Sequence, residues 1–195
     1  LNMIPRAGVS AERINEILDT DPKVKDGPSS QQTKEKGRME FRKVSFSYPD
    51  SNLKAIDDIS FIADKGETVA FIGSTGSGKT TIINLMMRFF DASEGNILID
   101  GKDAREYKLE TLRNKMGFAS QQAVLFSGTV RSNVAYADKD IEEKVRKAIQ
   151  IAQAEEFVSD MKGDIDALIT RGGTNVSGGQ KQRLSVARAV YREPE

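Results

Sequence analysis

The spacing of apolar residues changes character several times along this chain. Residues 10–18 place Ile14, Ile17 and Leu18 on one helical face, with Ser10 as the expected N-cap. Over residues 19–37 the periodicity disappears. Pro22, Gly27, Pro28 and Gly37 lie there among charged and polar residues, which predicts a linker. From Met39 a near-alternation takes over, with Phe41, Val44 and Phe46 set among Glu40, Arg42, Lys43 and Ser45. It predicts a strand, a Tyr48-Pro49-Asp50 turn and a second strand over 55–63. Thr68 to Ile72 and Lys115 to Ser120 read as further short strands, and glycine-bounded 95–101 as a hairpin strand. Ile82, Ile83, Leu85, Met86, Phe89 and Phe90 predict an apolar helix ending near Asp91. Residues 128–162 are richly helical, with Ile141, Val145, Ala148, Ile149 and Ala152 at helical spacing. A last helix runs from Ser177, its N-cap, to Arg192, with Leu184, Val186, Ala187 and Val190 inward. Strands first and helices later predict an α/β core carrying a helical subdomain.

The junction between the 68–72 strand and the following helix carries the most chemistry. It reads Phe71-Ile72-Gly73-Ser74-Thr75-Gly76-Ser77-Gly78-Lys79-Thr80-Thr81, which is G-x-x-x-x-G-K-[ST] from Gly73 to Thr80. Strand, glycine loop and helix in that order are the context of a phosphate-binding P-loop. Glycines let successive N–H groups converge on phosphate oxygens, and the positive end of the helix adds to the field. Lys79 can reach the β- and γ-phosphates, and the Thr80 hydroxyl can sit on Mg²⁺. A merely flexible glycine turn would need neither lysine nor threonine at fixed offsets. Val176-Ser177-Gly178-Gly179-Gln180 opens the last helix with a polar N-cap and two glycines. Read alone it is an ordinary cap; beside a P-loop it is a second anion-binding helix end.

Composition narrows the partners. The 195 residues suffice for one large domain, and 29 basic against 29 acidic residues leave no electrostatic case for nucleic acid. Without cysteine there are no disulfides or thiolate metal sites. There is no signal peptide pattern and no apolar run of about 18 residues to span a bilayer. A start at Leu1-Asn2, without Met, suggests a piece of something longer.

Taken together these segments resemble the nucleotide-binding domain of an ATP-binding cassette (ABC) exporter, from about Arg38 to Glu195. Gly73–Thr80 is similar to the Walker A loop, and Val176–Gln180 to the LSGGQ signature with Val in place of Leu. Tyr48 stands where the family carries an adenine-stacking aromatic, and Gln121 stands at the Q-loop glutamine, followed by Leu125-Phe126-Ser127-Gly128-Thr129-Val130 as in exporters. Ile169-Thr170-Arg171-Gly172-Gly173 occupies the exporter X-loop but lacks its acidic member. The resemblance implies a P-loop NTPase core with an antiparallel β-subdomain and an inserted helical subdomain over 128–176. Residues 1–20 would end a connecting helix from a transmembrane domain, 21–37 would be a linker, and 38–195 an incomplete nucleotide-binding domain. ATP would be held by Tyr48, by Ser74, Thr75, Gly76, Ser77, Gly78, Lys79, Thr80 and Thr81, and across a dimer by Ser177, Gly178, Gly179 and Gln180. Thr80 and Gln121 would hold Mg²⁺, and Lys79 and Gln121 would serve catalysis. The partners implied are a second nucleotide-binding domain and a transmembrane domain, at the cytoplasmic face of the cell membrane. The chain would stop before the Walker B strand, so its Asp, the catalytic Glu and the switch His would lie beyond residue 195. That fits the absence of histidine, and leaves a fragment expected to bind ATP at most weakly. The alternative is a catalytically degenerate half of a heterodimeric exporter, or a soluble ABC protein. The cargo is not readable.

Overall fold

The structure, a computed structural model, describes residues 3–30, 33, 36–49, 51, 53–136 and 138–195. Asp50 of the expected turn lies outside them. Strand β1 (Met39–Ser47) is central, with β2 (Lys54–Ala63) antiparallel on one side and β3 (Glu94–Ile99) antiparallel on the other; β4 (Lys102–Asp103) extends the sheet beyond β3. The alternation sets the register: Phe41 faces Phe61 and Ile97, so the apolar side chains of three strands share one face. The Phe41 and Phe61 rings stack at 4.6 Å. A bulge sets Lys43 and Val44 of β1 against Gly95 of β3 and twists the pair; Gly95 has φ 77°, and any Cβ there would strike the Lys43 carbonyl oxygen.

Helix α2 (Lys79–Met86) and helix α3 (Leu109–Asn114) belong to this layer. Ile82 and Leu85 from α2 and Leu112 from α3 join Phe41, Val44, Phe46, Ile97 and Tyr107 in one core. Each such side chain contributes about 1.5–3 kcal/mol of apolar burial. Helix α2 stops at Met86, short of Asp91, because Met87 caps it and Arg88 turns into left-handed backbone at φ 48°. Phe89 is accordingly half-exposed rather than a helix-face residue.

A second core is helical. It is built by α4 (Val130–Val134), α5 (Glu142–Ile151), α6 (Glu155–Ser159) and α7 (Gly178–Tyr191), with a two-residue ladder of β5 (Gly128–Thr129) and β6 (Leu168–Ile169). Val145, Ala148, Ile149 and Ala152 point inward as their spacing predicts. Ile141 does not, since it is the N-cap of α5 and half-exposed. On α7, Leu184 and Ala187 are fully buried but Val186 faces outward.

Three further expectations change. The N-terminal helix α1 (Met3–Leu18) is longer than the 10–18 pattern, so Ser10 lies inside it rather than at its cap. Proline in its first turn removes an amide that has no helical acceptor there. Residues 68–72 and 115–120, expected as strands, run outside any ladder, and Ile72 is 96% exposed. The apolar pattern is there, but a strand forms only beside a partner strand, and neither segment joins a ladder among the described residues; Lys115 O accepts a single bond from Glu195 N at 2.9 Å. The linker, finally, is not free: Ser29 bridges Tyr107 in parallel, and Gly27 N donates to the Tyr107 carbonyl at 3.0 Å.

Candidate functional site: a phosphate loop and a capped signature helix

The loop from Gly73 to Gly78 delivers the chain into α2. Gly76 and Gly78 both hold left-handed backbone, at φ 85° and 89°. At Gly78 an added Cβ would come within 2.7 Å of Ala55 O and Ile56 Cγ2, so the loop lies directly against β2 with no room for a side chain. Lys79 is half-buried and turns back across the loop, where Nζ donates to Gly73 O at 2.8 Å, Ser74 O at 2.7 Å and Ser77 Oγ at 3.2 Å. The ammonium is thereby folded back onto the Gly73–Ser77 stretch, where Ser77 N also donates to Ser74 O at 3.2 Å. Thr80 is exposed in the first turn of α2, while Thr81 is buried.

Tyr48 is brought to this helix. Its hydroxyl lies 3.2 Å from Thr81 Oγ1, and its ring meets Phe46 and Phe90 edge-on at 4.9 and 5.3 Å. The turn after β1 therefore places a half-exposed aromatic beside the phosphate loop. Thr81, which the loop pattern places among the ATP ligands, is buried and contacts Tyr48 instead of facing solvent.

The second helix end is built as its sequence predicts. Ser177 caps α7 by accepting from Gln180 N at 3.3 Å, and Gln180 Oε1 accepts from Ser177 N at 2.8 Å. This reciprocal box occupies the Gln180 side chain in holding the turn. Ser177, Gly178 and Gly179 are exposed, and nothing lies within 4 Å of a Cβ on either glycine, so the first turn of α7 is open to solvent.

Gln121 is exposed, and its backbone carbonyl accepts from Gln182 Nε2 of α7 at 3.5 Å. The structure thus joins it to the signature helix; it records no contact between Gln121 and the phosphate loop. Next to it is a feature that the sequence pattern did not announce. Arg188 donates to Val124 O at 3.0 Å, Asn133 O at 2.8 Å and Asn133 Oδ1 at 3.1 Å. Its guanidinium also lies over the Phe126 and Tyr136 rings, which stack at 4.6 Å. Burial pulls this guanidinium below its usual pKa, with Tyr136 acting weakly the other way. An arginine late in a helix reads from sequence only as a partner for the helix dipole.

No group of three or more His, Cys, Asp or Glu that could hold a metal ion occurs among the described residues. A divalent ion here would find hydroxyl and amide oxygens rather than a cluster of carboxylates. The exposed Thr80 hydroxyl at the mouth of the loop fits that role.

Residues 56–195 match the family model described as ABC transporter. The chain is 40% identical over 190 residues to an ATP-dependent lipid A-core flippase of Photorhabdus laumondii, covering 96% of this chain and 32% of that protein. It is 39% identical over 196 residues to an uncharacterized ABC transporter ATP-binding protein of Bacillus subtilis, covering 100% of this chain and 34% of the relative. It therefore spans about a third of the length of the curated relatives it matches. Among solved structures, a bacterial Atm1-family ABC exporter with ATP bound superposes at a TM-score of 0.90 and 31% identity. That superposition covers 98% of this chain and 34% of the other.

Proposed function

This chain belongs to the ABC transporter family, and on that premise we propose that it is the ATP-driven motor domain of an exporter, closing head to tail on a second such domain around ATP. One observation carries the reading: a single chain offers two helix starts suited to phosphate. One is the Gly73–Thr80 loop with Lys79 held over it, and the other is the exposed Ser177–Gly179 cap. One loop would suffice for a monomeric kinase or switch; the second makes sense where a phosphate is shared between chains.

In this reading the amides of 74–81 and the Lys79 ammonium take the β- and γ-phosphates. Lys79 then exchanges its bonds to the Gly73 and Ser74 carbonyls for phosphate oxygens. Thr80 and the Gln121 amide oxygen would hold Mg²⁺, which when bound offsets the charge of the β- and γ-phosphates. Tyr48 stacks on adenine, a contact worth about 1–3 kcal/mol per base elsewhere. Ser177, Gly178 and Gly179 meet the γ-phosphate held by the partner, with Gln180 fixing the turn that presents them.

No carboxylate contacts Lys79 or the loop among the described residues. These residues are therefore expected to bind ATP with little turnover. The Phe126, Tyr136 and Arg188 surface beside Gln121 would face the transmembrane half, with the domain at the cytoplasmic side of the membrane. The flippase relatives favour a lipid-like cargo, which would be met by that membrane half.

The test is an equilibrium titration with Mg-ATP followed by light scattering. Wild type should bind and dimerise, Lys79→Ala should do neither, and Gly178→Glu should bind ATP yet stay monomeric. ATP-driven dimers of Gly178→Glu would exclude the shared-phosphate reading.

A further inference from the structure

The connector between α1 and β1 is fastened to the far end of the phosphate-loop helix by one buried arginine. Arg88 follows the cap of α2 and is 4% exposed. Its four directed bonds go to three places. Nε donates to Asp91 Oδ1 at 2.8 Å, Nη1 to the carbonyls of Ala104 and Tyr107 at 3.2 Å each, and Nη2 to Lys25 O in the connector at 2.8 Å. Helix ends of this kind ordinarily place glycine in the left-handed region. Here arginine holds φ 48°, a conformation that disfavours a residue with a Cβ, so the side chain's bonds must outweigh the backbone strain.

The connector itself is laid on as a short parallel strap. Gly27 N donates to Tyr107 O at 3.0 Å, Ser29 N to Glu106 O at 3.0 Å, Lys108 N to Ser29 O at 2.8 Å, and Leu109 N to Asp26 Oδ1 at 2.6 Å. A Cβ on Gly27 would overlap the Tyr107 carbonyl oxygen, so only glycine lets the strap approach this closely. Between Arg88 and the phosphate loop stands only α2, eight residues or about 12 Å of helix. Its buried Ile82 and Leu85 lock it into the core, so it moves as a rod.

We propose that Arg88 is a positioning residue that latches the 25–29 connector to the phosphate-loop helix, so that nucleotide on the loop and docking of the connector stabilise each other. The proposal rests on the reading that the loop binds ATP. Chain entering from α1 must pass through this strap to reach β1, so the latch gives that helix a hydrogen-bonded route to the phosphate-loop helix. Linkage makes the coupling reciprocal: what tightens the strap must tighten ATP binding by the same factor.

Hydrogen exchange read on the full chain with and without Mg-ATP tests this. In wild type, ATP slows exchange of the Gly27 and Ser29 amides. Gly27→Ala dislodges the strap without touching α2, and should weaken ATP binding by about fivefold or more, the low end of usual coupling. Arg88→Met should free the same two amides and erase their response to ATP, while the β1 and β3 amides keep their protection. The double variant should lose no more affinity than the stronger single variant, because both changes break one latch. Unchanged ATP affinity in Gly27→Ala with a freely exchanging strap would overturn the proposal, and so would additive losses in the double variant. Wild type that binds ATP with no response at residues 27 and 29 would overturn this inference alone; wild type that binds no ATP would overturn the functional reading with it.

Discussion

Replacing Lys115 by methionine removes the buried cation that pairs Asp100 with Glu195 and keeps most of its apolar stem. Lys115 Nζ lies 2.9 Å from Asp100 Oδ2 and 2.6 Å from Glu195 Oε2, with the Lys115 and Asp100 side chains 4% and 1% exposed. Burial acts to push the Asp100 carboxyl up. The bonds from Arg38 N, Lys115 and Thr33 outweigh it and hold the carboxyl below its usual pKa. Lys115 is likewise held above its usual value, its bonds to Glu195 and Asp100 prevailing over burial. Without the ammonium, Asp100 retains Arg38 N at 3.0 Å and Thr33 Oγ1 at 3.3 Å but faces no charge of opposite sign. Stranding one member of a buried pair costs about 3–5 kcal/mol, a large part of a typical total near 5–15 kcal/mol. Glu195 adds less to that cost, because it is partly exposed and keeps Lys36 at 3.0 Å. Removing both charges in Lys115→Met with Asp100→Asn should recover most of the loss, since no uncompensated charge remains.

The sign with pH follows from the same groups. A depressed carboxyl stabilises the fold above its unfolded pKa, and that contribution is lost as pH falls through the lower folded value, below about pH 4. In Lys115→Met burial prevails and the carboxyl rises, so the variant's deficit should shrink as pH falls from about 7 toward 4. Urea denaturation followed by circular dichroism at several pH values reads both effects. A loss under about 1 kcal/mol near pH 7, or a deficit that does not change with pH, would refute the view that this cluster stabilises through charge pairing.

Gly78→Ala should weaken Mg-ATP binding by roughly tenfold or more, combining left-handed strain of about 1–2 kcal/mol with a 2.7 Å contact to Ala55 O; isothermal titration measures it. Tyr48→Ala should lose roughly 5- to 150-fold in ATP affinity while Tyr48→Phe keeps most of it, which equal losses in fluorescence titrations of the two variants would contradict. Tyr107→Phe leaves the buried Ile99 carbonyl without its 2.9 Å donor, and should lower the urea midpoint by an amount equal to about 1–2 kcal/mol.

Short-range signals in this chain are self-sufficient. Gly73–Thr80 and Ser177–Gln180 are read correctly as a loop feeding a helix and a capped helix start, because glycine freedom, N-capping and helix periodicity act within a few residues. The alternation in 39–46 likewise sets which face of β1 is buried, and with it the register against β2 and β3. Other features depend on what packs from far along the chain. The 68–72 pattern spells a strand, but a ladder needs a neighbour that the segment cannot supply. A proline and glycine stretch reads as a free linker, yet residues 25–29 become a strap because the carbonyls of 104–107 converge on Arg88 some sixty residues after it. Tyr48 meets Thr81, and Arg188 meets Asn133, through separations of 33 and 55 residues that no local spacing encodes. The glycine loop and both helix starts were legible in the chain's local pattern, because backbone freedom and capping act within a few residues. What the loop is tied to emerges on folding, because burial and charge pairing are settled between residues distant in the chain.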